Sequence, residues 1–190
     1  MIEIDFDRDD PAFRACADEW RPYAKIPSLP ESEAKAALIE SGLSHGRDKD
    51  ISFVRSVMES VPFAKGLDLR KSGIPTNDRQ KADLGLRSNV IVSHNFLDIL
   101  TPKGLIDPIG SSQFIASAYA GRLASINAIG RIRHAGIKKV RVIPNNMAAG
   151  PCEHCLTAAK AEFLIEDAPI GSLPGCPHPT QCAIRLVSVN

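Results

Sequence analysis

Apolar residues recur at helical spacing in two stretches of the chain and at strand spacing in a third. In DISFVRSVMESVPF, residues 50–63, Ile51, Val54, Val57, Met58 and Val61 are spaced by three, three, one and three. That is one face of an amphipathic helix, ended near Pro62. The longest pattern begins after Ser111 or Ser112, either of which can cap it, and carries Phe114, Ile115, Ala118, Leu123, Ile126 and Ile129 toward Ile132. It predicts a helix of about 22 residues closed by Gly136 as the left-handed residue past the end. IKKVRVIP then alternates Ile137, Val140 and Val142 with Lys and Arg, which predicts a half-exposed strand ending at Pro144.

The remaining segments carry weaker signals. Residues 1 to about 30 read as irregular, apart from a short helix over DPAFRACADEWRPY with Asp10 as cap and Pro11 in its first turn. The composition of residues 32–41 is helical, and SGLSHG after it is a stop. Residues 66–110 read as short elements separated by turns, with a β-branched stretch at 89–92, a helical SHNFLDIL and a loop at TPKGLIDPIG. A boundary is expected within 101–112. It separates a mainly helical region, 1–110, from a module, 111–190, of long helix, short strand and cysteine-rich tail. The fold class expected is α+β, mostly helical, with a small C-terminal β element and a zinc knuckle.

Composition limits the function classes. The 190 residues hold 23 Lys plus Arg against 22 Asp plus Glu, a formal charge of +1, with 44% hydrophobic residues. No run of about 18 uncharged apolar residues is present, so no membrane partner is expected. The acidic start MIEIDFDRDD is the opposite of a secretory leader. Charge is nevertheless uneven. Seven acids against two arginines fill the first 20 residues, whereas residues 108–152 contain no acid and six cations: Arg122, Arg131, Arg133, Lys138, Lys139 and Arg141. Such a stretch suits either a nucleic-acid phosphate backbone or acidic parts of the same fold. His94 has no nucleophile or acid at a telling spacing and reads as a surface or cap residue.

Four of the five cysteines fall in the last 39 residues, as Cys152-x2-Cys155, 20 intervening residues, then Cys176-x-His178-x3-Cys182. Two thiolates from one tight turn and two donors from a second are what a tetrahedral structural zinc site requires. Five donors compete for four positions. Cys152, Cys155 and Cys182 rank first, and Cys176 ranks ahead of His178 for the fourth; His154, inside the first pair, faces solvent, with a hydrogen bond to a ligand as the alternative. A site closed by four protein ligands would stabilise the fold and leave no position for water.

Rival chemistries lack partners. No thioredoxin-like βαβ pattern surrounds the C-x2-C. Pro151-Cys152-x2-Cys155 matches half of a nucleobase-deaminase signature. None of His45, His94, His134 or Cys16 is followed two residues later by the Glu that shuttles the proton, and Cys16 comes nearest with Asp18. The H-x3–5-H of a C2H2 finger is missing.

The ordered set of residues 135–143, Cys152, Cys155, residues 166–169, Leu173, Pro174, His178, Pro179 and Cys182 resembles the C-terminal module of Mu F-like phage head-morphogenesis (minor capsid) proteins. That module ends in C-x2-C and then H-P-x-C-R-C. The resemblance covers residues 111–190. It departs from the pattern where Ala183 and Ile184 follow Cys182, so the last Cys is absent, and where an extra residue separates Pro179 from Cys182. Cys176 stands in for the missing sulfur. The resemblance implies a non-catalytic virion or prophage structural protein. Its partners would be phage head or portal proteins, with bound Zn2+, in the bacterial host's cytoplasm or the virion. The competing class is a zinc-containing nucleic-acid-binding protein using 122–141. An enzyme is the third, marked by a concave pocket gathering polar groups from 45–110.

Overall fold

The computed structural model describes residues 28–60, 66–144, 151–171, 173, 176 and 184–189. Among them the protein is α+β, with eight helices and one three-stranded antiparallel sheet. The helices are α1 (Glu31–Ile39), α2 (Asp48–Ser60), α3 (Gly66–Lys71), α4 (Asp78–Asp83), α5 (His94–Ile99), α6 (Pro102–Ile106), α7 (Pro108–His134) and α8 (Glu153–Ala158). Strands β1 (Lys139–Pro144), β2 (Glu162–Leu164) and β3 (Ile184–Ser188) lie in the order β2-β1-β3. The helix expected over 10–23 and the residues Val61 and Pro62 lie outside the described residues. No helix among the described residues is long and apolar enough to cross a membrane.

Local chemistry accounts for most boundaries. Glu31 and Glu33 in the first turn of α1 complement its dipole, and Ala34, Ala37 and Leu38 are its buried side. In α2 the expected face is the buried one: Ile51, Val54 and Val57 are enclosed and Met58 packs against them. The turn before α2 is closed by the fully buried Asp50 carboxylate, which accepts the Arg47 backbone N–H at 2.9 Å and the Arg47 guanidinium at 3.0 Å.

The TPKGLIDPIG segment is helical, contrary to its reading as a loop. Thr101 caps α6 by accepting the Gly104 N–H, and Asp107 caps α7 by accepting the Gly110 N–H; each is followed by a proline in the first turn. Two successive cap–proline pairs thus build a helix corner. α7 consequently starts at Pro108 and runs 27 residues. Ser111 and Ser112 are buried within it, donating to the carbonyls of Gly104 and Ile109, both at 2.8 Å. The β-branched stretch 89–92 forms no strand. Val92 is buried, an isolated bridge joins Pro75 to Ser93, and Ser93 caps α5 so that His94 is exposed in its first turn.

The end of α7 follows expectation. Gly136 has φ +73°, its N–H meets the Arg133 carbonyl and the Ile137 N–H meets Ile132, the paired bonds of a Schellman stop. Ile137 and Lys138 lead straight into β1, which alternates out and in and ends at Pro144.

α7 serves two cores. Ile115 and Tyr119 fill the helical core with Phe96, Leu38, Leu69 and Ile99, and Leu123 and Ile126 pack at its rim. Further along, Ile129 is buried against Val140 of β1, Ile165 and Ala168, with Ile132 beside them. The 110/111 division falls inside this helix. The sheet lies under the end of α7, with Lys139 opposite Leu164 on one side of β1 and Val142 opposite Leu186 on the other.

Candidate metal centre

The inner face of the sheet, where Val140 meets α7, also carries the cysteines, around Val142. Val142 of β1, Ile184 of β3, Leu173 and Cys155 are the buried members of one cluster, with Cys152, Cys176, Ala158 and Phe163 packed against it. Cys152 occupies the N-cap of α8, its carbonyl accepting the Leu156 N–H at 3.0 Å, and Cys155 is one turn on. A helical first turn sets cap and third residue on the same side, so both sulfurs face the Leu173–Cys176 turn. That turn is closed by a Cys176 N–H to Leu173 carbonyl bond of 3.0 Å.

The sulfurs of Cys152, Cys155 and Cys176 all lie within 4.8 Å of one another. Cys152 Sγ is 3.8 Å and Cys155 Sγ 3.9 Å from Cys176 Sγ. A disulfide holds its sulfurs about 2.05 Å apart, so these thiols are not bonded to each other. Four sulfurs placed about 2.3 Å from a central zinc are about 3.8 Å apart along each tetrahedron edge. Two of the trio's separations therefore match a tetrahedron edge, the third lies within 4.8 Å, and the three thiols could hold a metal ion. Cys155 is fully buried and the other two are half-buried, which shields such a centre from bulk water.

The structure thus unites three of the five expected donors. His178 and Cys182 lie outside the described residues, as does Cys16. His154 is exposed. Spacing alone did not identify Leu173 and Ile184, the apolar walls against which Cys155 rests. The available signal was their position, three residues before Cys176 and two after Cys182.

The basic stretch divides among three environments. Arg122 projects from mid-α7 against α1, its guanidinium bonded to Glu33 and, at 3.0 Å, to Glu40, with only 11% of its side chain exposed. Lys139 and Arg141 lie on the outer face of the sheet within 3.4 and 3.3 Å of Glu162. Arg131 and Arg133 are exposed in the last turn of α7, where positive charge suits the helix end, and Lys138 is exposed just after it. These cations do not form one stripe. Gly110, Gln113, Phe114 and Ser117 line a shallow surface depression on α7 that contains no titratable side chain.

No family model, curated protein or solved structure matches the chain.

Proposed function

We propose that residues 111–190 are a module folded around a structural zinc ion, in a non-catalytic protein that assembles with phage or prophage head and portal components. The observation that carries the metal is the set of near-tetrahedral sulfur separations, 3.8 and 3.9 Å, at Cys152, Cys155 and Cys176. Three convergent thiols are a soft donor set, which selects zinc over magnesium or calcium. Cys182 is the fourth ligand. It stands two residues before Ile184, which packs in the same cluster as Cys155, and two residues of chain span at most about 7 Å. His178 stands two residues after Cys176, within the same reach, and ranks below Cys182 because a fourth sulfur completes a uniform thiolate set.

Four protein ligands leave zinc no open position, so its contribution is to folding. That contribution is on the order of 10 to 16 kcal/mol for structural zinc in small peptides. It suits a module whose two clusters hold, among the described residues, only four buried residues each. The head-assembly role rests on the ordered combination of long helix, glycine turn, strand and cysteine knuckles.

Elemental analysis of protein purified under reducing conditions should find about one zinc per chain, and a value near zero overturns the metal. Cobalt substitution should give the intense visible bands of a tetrahedral thiolate site; pale, octahedral spectra contradict it. For the assembly role, a host carrying the gene should package heads, and its deletion should leave head and portal proteins made but unassembled. Unchanged yields of filled heads sink that role and leave the zinc site standing.

The competing reading, a zinc-containing nucleic-acid binder, draws support from the exposed Arg131, Arg133 and Lys138. Arg122, Lys139 and Arg141 face carboxylates instead. Each phosphate contact contributes about −0.9 to the slope of log K against log salt, so three contacts give about −3 and six about −5. DNA binding with either slope would favour that reading, and none is expected here.

A further inference from the structure

β3 forms one margin of the sheet. The Val189 N–H donates to the Lys139 carbonyl at 3.1 Å, and Val187 and Arg185 stand opposite Arg141 and Ile143. The odd-numbered residues of β3 therefore turn their peptide groups toward β1. By the two-residue period those of Ile184, Leu186 and Ser188 point away from it, and no strand meets them among the described residues. The side chains divide the same way. Leu186 is half-buried at the rim of both small apolar clusters, while Arg185 is exposed on the outer face, where Lys139 and Arg141 also lie. An edge of this kind, apolar beneath and basic above, is a template for one more strand unless something covers it.

A fitting strand alternates apolar and acidic residues. Residues 2–7 of this chain do so without a break: Ile2, Glu3, Ile4, Asp5, Phe6, Asp7. We propose that the outer edge of β3 is a strand-docking site and that its occupant is residues 2–7 of the same chain. Directly opposed residues share a face. A register with Asp5 beside Arg185 therefore sets Ile4 and Phe6 on the Leu186 side, extending the inner face. It sets Glu3 and Asp7 on the side of the sheet's cations. A slip of one residue would put the acids against Leu186, so hydropathy and charge select the same register. The tether is long enough. The 21 residues from Asp7 to Ser28 have a typical span of about 25 Å as flexible chain, against a radius of gyration of about 16 Å for a compact chain of this length. Such a linkage supplies an effective concentration near millimolar, ahead of a second copy at ordinary protein concentrations.

Amide hydrogen exchange on the full zinc-containing chain tests this. The N–H groups of Leu186 and Ser188 should exchange at least about 100-fold more slowly than open-edge amides. Both should become fast in the Ile4→Pro variant, which removes a donor from the middle of the occupant, while the Val140 and Arg141 amides, bonded to β2 and β3, stay protected and zinc content stays unchanged. Arg185→Glu should speed exchange of the same two amides, and Asp5→Arg added to Arg185→Glu should restore part of the protection. Fast exchange at Leu186 and Ser188 in the unaltered chain overturns the proposal. So does protection that survives Ile4→Pro, which would mean another segment or partner covers the edge. Protection that disappears on dilution would place the strand in a second copy and equally overturn docking within one chain. Independent effects of the two charge changes would refute the register.

Discussion

Arg122 is where charge patterning and packing give different accounts of one residue, and Arg122→Met separates them. Methionine keeps an apolar stem in place of the one that packs under Gly171, where a Cβ would meet the arginine Cγ at 2.7 Å. It removes the guanidinium that bridges Glu33 and Glu40. The three side chains are 11%, 25% and 28% exposed. Fully exposed ion pairs are worth about 0 to 1 kcal/mol, whereas losing one partner of a buried pair costs about 3 to 5 kcal/mol. These exposures lie nearer the buried limit for Arg122 and midway for the acids, which places the loss at about 2 kcal/mol. Glu40, at the C-cap of α1, also faces the negative end of that helix and gains most from the cation. Urea unfolding should report the loss directly. Thermal unfolding should fall by about 4 to 8 °C, given about 2 to 4 °C per kcal/mol for a chain of this size. Adding Glu33→Gln and Glu40→Gln to Arg122→Met should recover part of the stability, because no carboxylate is then left unpaired. A loss below about 0.5 kcal/mol, the range of ordinary surface changes, together with no recovery in the triple variant, would refute the clasp and return Arg122 to the pool of phosphate ligands.

Three other outcomes follow from the same structure. Cys155→Ser should lower bound zinc to near zero and abolish amide protection in β1, whereas Cys16→Ser should change neither; equal effects would contradict the ligand assignment. Tyr119 is buried, and that burial, reinforced by the Glu59 carboxylate 3.2 Å from its hydroxyl, pushes its pKa up to about 12. The folded value exceeds the unfolded one of about 10, so its contribution is complete below pH 10 and lost as pH rises toward 12, a change of about 2 to 3 kcal/mol. Urea titrations at pH 9 and pH 12 should show that step in the unaltered protein and a smaller one in Tyr119→Phe. Asp107→Ala should cost about 1 kcal/mol through the lost Gly110 N–H bond, with Asp107→Asn nearly neutral in chemical unfolding.

The helical core and the β element were largely legible from periodicity, because burial there follows a single helix face or a single strand face. Ile51, Val54 and Val57, and Ile115 and Ile129, are each buried as their spacing requires. Tyr119 was not singled out, since its hydroxyl obscures how much of the ring can be enclosed once Glu59 accepts the bond. The pattern sets the start of α7 four or five residues late, because serine is a good cap in isolation. Asp107-Pro108 is a better one, and the earlier start leaves Ser111 and Ser112 to bond within the helix. Residues 101–106 read as a loop from their proline and glycine, yet proline in a first turn after Thr101 begins a helix as readily as it ends one.

Sequence alone determined the donor inventory: which residues carry sulfur, how far apart they stand, and that a strand and a long helix precede them. It also determined where the acids are missing. Tertiary structure alone decided that Cys152, Cys155 and Cys176 converge, since their 3.8 and 3.9 Å separations depend on α8 and the Leu173–Cys176 turn docking against the same side of β1. It alone divided the basic stretch, because a cation's role is set by the element packed opposite it. For Arg122 that element is α1, more than 80 residues earlier in the chain, a distance no local pattern encodes.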